Sequence, residues 1–104
     1  MIVTTTETVP DHEITEVLGV VRGNTVRSRN IGRDITQLLR SIVGGELKAF
    51  TTLLTASREE SLERMKANAE KLDADAVVNV RFVTAQVMSG SAEMLAYGTA
   101  VTLD

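Results

Sequence analysis

Cysteine is absent from the 104-residue sequence, and histidine occurs once, as His12. The absence of cysteine excludes disulfides, thiolate metal ligands and cysteine nucleophiles. A single histidine, with no serine in a nucleophile-elbow motif, leaves nucleophilic catalysis without its usual components. The composition therefore predicts a protein that is not an enzyme.

Aromatic side chains are also scarce, since the sequence has no tryptophan, one tyrosine and two phenylalanines. A core must then be built mainly from valine, leucine, isoleucine, methionine and alanine. A domain of about 100 residues buries only about two-thirds of its unfolded surface. Because aromatic side chains are so few, we expect the protein to bury further apolar surface by associating with other subunits.

The sequence also lacks an excess of positive charge and any long apolar run. The formal net charge is −3, which argues against general nucleic-acid binding because that needs clustered lysine and arginine. No apolar stretch approaches the roughly 20 residues of a membrane span, and the N-terminus lacks the features of a signal peptide. We expect a cytoplasmic protein with neither nucleic acid nor membrane as partner, and residues 1–104 forming a single domain.

Two β-rich segments open the chain, Ile2–Thr6 and Ile14–Ser28, with Pro10 interrupting the sequence between them. The second segment carries apolar residues on both of its faces. This pattern predicts a strand covered on one side by its own core and on the other by a neighbouring subunit. Gly23-Asn24 inside it permits either a two-residue hairpin turn or a bulge in one long bent strand, and we favour the bulge.

The middle of the chain changes to helical spacing. Residues 30–43 predict a short helix that ends at Gly44-Gly45, because glycine accepts the left-handed conformation that closes a last turn. A longer helix is predicted from about Glu46 to Leu72. Its predicted buried stripe consists of Leu47, Phe50, Leu54, Ser61, Met65, Asn68 and Leu72.

A β-hairpin is predicted at the C-terminus, with strands from Ala74 to Val83 and from Glu93 to Leu103 and a loop at Met88–Ser91. Small residues on one face of the last strand allow a helix or another backbone to come close. These are Met94, Ala96, Gly98 and Ala100. In the first strand, Val78, Val80 and Phe82 are predicted to share a face. The opposite face, with Asn79, Arg81, Leu95 and Tyr97, is predicted to meet a neighbouring subunit.

The candidate metal ligands are Asp11, His12 and Glu13, which surround the single histidine. Zinc and copper sites normally use several histidine or cysteine ligands, and consecutive side chains of a regular strand diverge. An irregular loop, or copies from several subunits, would be needed to bring these three groups to one ion. We favour the alternative that they are solvent-exposed turn residues.

The candidate anion ligands are Arg27, Arg29 and Arg33, which lie around the start of the short helix. Backbone donors at a helix start, together with guanidinium groups, favour phosphate or carboxylate. A solvated basic loop that pairs with acidic residues of a neighbouring subunit is the preferred alternative. Arg58, beside the apolar stripe of the long helix, either lines a ligand cavity or, as we favour, clamps the helix to the sheet.

Several segments, in this order and spacing, resemble the YbjQ-like family, an uncharacterised bacterial family with a heavy-metal-binding label. The segments that carry the resemblance are Leu18–Val21, Val43–Gly45, Ala56–Glu60, Leu72–Phe82 and Tyr97–Val101. The family more often has glycine where this chain has Asp73, which puts the cap of the long helix in question.

The predicted fold class is α+β, a small mixed or antiparallel sheet packed on one long helix and a shorter one. The resemblance implies the order β-β-α-α-β-β and a ring-forming subunit, a homopentamer, which requires one surface patch to meet a different patch head to tail. We expect a non-enzymatic oligomer that binds a small ligand or metal ion at subunit interfaces, with the cofactor unknown. The alternatives are a structural or protein-interaction module without ligand, and an enzyme whose site is built only by assembly.

Overall fold

Four strands and one helix make up the part of the chain that the computed structural model describes, residues 1–27, 48–88 and 91–104. They are β1 (Ile2–Val3), β2 (Ile14–Arg27), α1 (Lys48–Glu70), β3 (Ala76–Met88) and β4 (Ser91–Leu103). This arrangement confirms the α+β class. The shorter helix predicted at residues 30–43 lies outside the described residues.

The strands form one mixed sheet in the order β1-β3-β4-β2. β4 pairs antiparallel with both β3 and β2, and the two-residue β1 pairs parallel with β3. Met88 stands opposite Ser91, which agrees with the predicted hairpin between β3 and β4. Because β2 pairs only with β4 among the described strands, it forms one edge of the sheet.

α1 lies across β2 and β4, and three of the four helix residues that are buried against the sheet are small. Its buried positions follow a spacing of four, Ser57, Ser61, Met65 and Ala69. The predicted stripe is therefore confirmed at Ser61 and Met65 and wrong at Leu54, Asn68 and Leu72, which are exposed. The burial of its first two members, Leu47 and Phe50, lies outside what the structure describes. Short side chains occupy the contact because they let the helix axis come close to the sheet.

The closest approach between helix and sheet occurs at Gly23 of β2. A Cβ atom at this position would overlap the backbone nitrogen of Met65 and the backbone oxygen of Ser61. The Ser61 hydroxyl also lies 3.3 Å from the Thr25 hydroxyl and 3.0 Å from the carbonyl oxygen of Met94. Glycine at position 23 is thus required by backbone-to-backbone packing.

β2 is one continuous strand, which confirms the prediction of one long strand over a hairpin turn at Gly23-Asn24. The prediction of a bulge at Gly23-Asn24 was wrong. Gly23 and Asn24 pair in unbroken register with Ala96 and Leu95. The register instead shifts between Val17 and Gly19, where Gly19 has a φ of 125° that only glycine adopts readily. On the face of β4 where small residues were predicted, Ala96 and Ala100 pack in the apolar cluster with Met65 and Ala69 of the helix.

A second bulge reverses the faces of β3. Asn79 takes a φ of 54°, and the pairing with β4 shifts between Val78 and Arg81. As a result Val80 packs with the helix-side cluster while Val78 packs with Val9 on the other side. The prediction that Val78 and Val80 share a face was therefore wrong, since an inserted residue breaks the alternation.

Two apolar clusters hold the sheet, one on each face. The larger one lies under α1 and contains Val21, Met65, Ala69, Val77, Val80, Ala96 and Ala100. The smaller one lies on the opposite face and contains Val9, Ala76, Val78 and Val101. Within the described ranges, no helix has the length and apolar character needed to cross a membrane.

The C-terminus of α1 is closed by a Schellman motif with Asp73 in the left-handed conformation. Asp73 has a φ of 59° and donates its N–H to the Glu70 carbonyl at 3.0 Å, while Ala74 donates to the Ala69 carbonyl at 3.2 Å. Glycine is the usual residue at this position. Asp73 therefore forms the same helix cap that glycine usually forms, although the sequence had put this cap in question.

We expect Gly23→Ala to lower the free energy of unfolding by at least about 3 kcal/mol, because neither backbone segment can move away from the added methyl group. Urea denaturation followed by circular dichroism measures the effect. Gly19→Ala is the comparison, since nothing lies within 4 Å of its added Cβ and its cost should be the backbone strain alone, about 1–3 kcal/mol. Equal losses for the two variants would contradict the close approach at Gly23.

We expect Asp73→Gly to raise the free energy of unfolding by about 0.5–1 kcal/mol, because glycine removes the strain of the left-handed conformation. Asp73→Ala should instead lower it by a similar amount, since alanine keeps a Cβ atom and tolerates this conformation less well than aspartate. Thermal and urea denaturation of both variants test the sign. Destabilisation by glycine would show that the aspartate side chain contributes more than the cap conformation costs.

Candidate functional site

The predicted metal ligands lie in an exposed turn beside the C-terminal end of the described chain. The backbone N–H of His12 donates to the Val9 carbonyl oxygen at 3.2 Å. The imidazole Nδ1 of His12 lies 3.7 Å from an Asp104 carboxylate oxygen. The same oxygen accepts the Glu13 N–H at 2.9 Å. Asp11, His12 and Glu13 are all exposed. Asp104 thus ties this turn to β4.

This arrangement brings His12 together with one carboxylate, that of Asp104. Over residues 1–27, 48–88 and 91–104, no three or more histidine, aspartate or glutamate side chains are grouped so as to hold an ion. The His12–Asp104 pair supplies two potential ligands, whereas zinc sites use three or four protein ligands. A zinc site here would need at least one further ligand in addition to this pair.

Of the predicted anion ligands, two residues of the structure's described part can be placed, Arg27 and Arg58. Arg27 is the last residue of β2, opposite Ala92, and Arg29 and Arg33 lie outside the described residues. Arg58 is exposed on α1, where its Nη2 lies 3.4 Å from the Thr55 hydroxyl. The interpretation of Arg58 as a partly buried clamp was therefore wrong.

Two other side chains of α1 clamp the helix to the sheet. Arg64 donates to the backbone oxygen of Asn24, and Asn68 donates to the backbone oxygen of Arg22 at 2.7 Å. Both oxygens point outward from the edge of β2, where they would otherwise be open to another strand. The helix therefore occupies part of the edge of β2, which protects it against strand addition.

Beyond the small cluster around Val9, the sheet face opposite α1 carries exposed valine side chains among polar and charged ones. Directly paired residues of antiparallel strands project from the same face, so the register defines its members. We call this surface the open face: Val20, Arg22, Asn24, Val26, Arg81, Val83, Glu93, Leu95, Tyr97 and Thr99. Val20 is 64% exposed, Val26 53% and Val83 42%.

Polar contacts on the open face are few in the part of the chain that the structure describes. Asn24 Nδ2 donates to a Glu93 carboxylate oxygen at 3.1 Å. Arg81 Nη1 donates to the carbonyl oxygens of Thr5 at 3.1 Å and Val80 at 2.8 Å. The sequence indicated Asn79, Arg81, Leu95 and Tyr97 as one face. The register places Arg81, Leu95 and Tyr97 together, whereas Asn79 lies in the bulge of β3. The sequence did not indicate Arg22 and Val26, because their place beside Tyr97 and Glu93 depends on the pairing of β2 with β4.

These features define a class of protein: a small α+β domain whose mixed sheet carries a helix on one face and exposed valine side chains among polar residues on the other. A family model described as "Putative heavy-metal-binding" matches residues 1–104. The chain belongs to this family, the YbjQ-like family, whose curated members carry the name UPF0145 protein.

Curated relatives match almost the full length of the chain. The UPF0145 protein of Halobacterium salinarum is 61% identical over 99 residues, 95% of each chain. That of Archaeoglobus fulgidus is 59% identical over 103 residues, 99% of this chain and 95% of the relative. That of Thermotoga maritima is 53% identical over 104 residues, 100% of this chain and 98% of the relative. The family thus extends beyond bacteria to archaea.

A solved structure has the same fold. The crystal structure of a protein of unknown function from Pediococcus pentosaceus superposes with a TM-score of 0.67 and covers 100% of this chain and 98% of its own. The two sequences are 18% identical, so the likeness concerns the fold alone.

We expect a tenfold excess of zinc to raise the thermal midpoint by less than about 1 °C, because the His12–Asp104 pair has too few ligands to bind zinc tightly. Scanning fluorimetry with and without a chelator measures the shift, and His12→Gln is the control. A larger shift that His12→Gln abolishes would contradict this expectation. It would mean that several copies of the chain complete a site at His12.

Proposed function

We propose that this chain is a non-enzymatic subunit of a homo-oligomeric ring, a homopentamer, that packs through its open face and holds a small ligand where subunits meet. The proposal includes the cytoplasmic location expected from the sequence. The observation that carries it is the exposure of valine side chains on the open face, with Val20 64%, Val26 53% and Val83 42% exposed. Exposed apolar side chains grouped on one face of a sheet mark interaction sites on soluble proteins.

The exposed area of the isolated chain supports association. Its accessible surface is 6816 Å² for a mass of 11.3 kDa. A folded monomer of that mass exposes about 5,700 Å² on average, so this chain exposes roughly 1,100 Å² more. Each partner in a standard protein interface contributes about 800 Å². The excess is therefore large enough to be buried in one interface of ordinary size.

The shape of the chain points the same way. Its radius of gyration is 16.9 Å and its principal extents are 53 × 27 × 17 Å, whereas a compact domain of about 100 residues has a radius near 13 Å. An elongated, thin subunit buries little of its own surface. Packing against other subunits would supply the burial that its shape and its few aromatic residues do not provide.

The mode of packing follows from the protected edge of β2. Because Arg64 and Asn68 of α1 occupy the outward carbonyl oxygens of Asn24 and Arg22, addition of a strand at this stretch is disfavoured. We therefore propose that the open face of one copy packs against a different surface of the next copy. Repeated contacts between unlike patches close into a ring when the rotation between copies allows it.

We expect native mass spectrometry of the purified protein to give a mass about five times that of the 11.3 kDa chain. Val20→Asp should weaken the assembly at least about a hundredfold, because it places an unpaired charge in an apolar interface. Thr8→Asp, which adds the same charge at an exposed position of the N-terminal segment, is the matched control.

Circular dichroism must show that both variants keep their fold, so that loss of assembly is separated from unfolding. Dissociation by Val20→Asp alone supports packing through the open face. A wild-type protein that is monomeric at tens of micromolar, or an assembly that Val20→Asp leaves intact, would overturn the proposal.

A further inference from the structure

Two arginines flank the single tyrosine on the open face. Arg22 of β2 and Arg81 of β3 each pair directly with Tyr97 of β4. Adjacent strands are about 4.8 Å apart, which places the two arginine Cα atoms about 10 Å apart with the tyrosine between them. We call these three residues the arginine row.

The positive charges of the arginine row lack a counter-charge in the described part of the chain. Arg81 donates from Nη1 to two neutral carbonyl oxygens, of Thr5 and Val80. The exposed Arg22 side chain makes no hydrogen bond or ion pair with any described residue. By contrast, Arg64 and Lys66 of α1 each pair with a glutamate, Glu60 and Glu63 respectively.

The carboxylate nearest along β4 is already engaged. Glu93 lies four residues from Tyr97 along the strand, about 13 Å at the usual rise, and accepts a hydrogen bond from Asn24 Nδ2 at 3.1 Å. The half-buried Tyr97 has no hydrogen-bond partner for its hydroxyl among the described residues. The row therefore presents two guanidinium groups and one phenol donor on a chain of net charge −3.

We propose that the arginine row binds an oxyanion, a phosphate or carboxylate group, between Arg22 and Arg81 with the Tyr97 hydroxyl as a third donor. Guanidinium groups match these planar or tetrahedral oxyanions through paired N–H donors, which lysine does not provide. Valine side chains border the row, and Val20 and Val83 lie on the same face. This site is distinct from Arg27, Arg29 and Arg33, and it deepens the proposed function by naming the class of ligand.

The inference rests on the proposed function in one respect. An anion on an exposed sheet is screened by water and salt, and its attraction to arginine grows when a neighbouring subunit excludes water. The anion could be a free small molecule or a carboxylate of the neighbouring copy. Both sources use the same chemistry and are separated by the experiment below.

The test is scanning fluorimetry of the full chain with inorganic phosphate, then citrate, against sodium chloride at equal ionic strength, with native mass spectrometry in parallel. We expect a rise in the thermal midpoint of about 4–8 °C when the anion exceeds its dissociation constant fivefold. Arg22→Gln should abolish the rise, and Arg22→Lys should keep only part of it. Lys71→Gln, which removes one positive charge at an exposed position just after α1, should leave it unchanged.

Each outcome separates the possibilities. A shift lost in Arg22→Gln supports a free anion as ligand. No shift, but an assembly that Arg22→Gln dissociates and Lys71→Gln does not, supports a carboxylate of the neighbouring copy as the bound group. No shift together with an unchanged assembly in Arg22→Gln overturns the arginine row while leaving the ring intact. A monomeric wild type that still responds to phosphate through Arg22 refutes the ring and keeps the anion site.

Discussion

The contact between the backbone of α1 and Gly23 of β2 is the constraint on which the described structure depends. A helix can come this close only if the strand has no side chain at the crossing and the helix turns toward it with small residues. Ser57 and Ser61 meet the second requirement. The hydroxyl of Ser61 then reaches both Thr25 and the carbonyl of Met94, so one helix position joins two strands.

This crossing decides which surfaces remain available. With α1 seated over β2 and β4, Arg64 and Asn68 reach over the edge of β2 and occupy its outward carbonyl oxygens. On the opposite face, the described residues pack into one small cluster around Val9. The rest of that face is the open face, where valines, two arginines and a tyrosine stand together. The protected edge of β2 and the exposed valines of the open face together favour association through the open face rather than through strand addition.

The YbjQ-like family is described as heavy-metal-binding. Whether this description suits the chain depends on which metal-ligating side chains it has. Without cysteine, heavy-metal binding cannot rest on thiolates. The single histidine faces Asp104 in an exposed turn, where the pairing also holds β2 and β4 together through Glu13. The residues of the open face offer a different chemistry, that of oxyanion recognition by arginine.

The sequence by itself determined a long helix near residues 46–72 and a C-terminal hairpin, and it favoured one long second strand over a hairpin turn at Gly23-Asn24. These follow from local periodicity and turn residues, which act over a few positions. The tertiary structure decided which residues share a face, because the bulges at Gly19 and Asn79 each insert one residue and reverse the alternation beyond it. Strand pairing over long separations also brought Arg22 and Arg81 to either side of Tyr97. No spacing along the chain records that meeting, since it exists only once β2, β3 and β4 lie side by side.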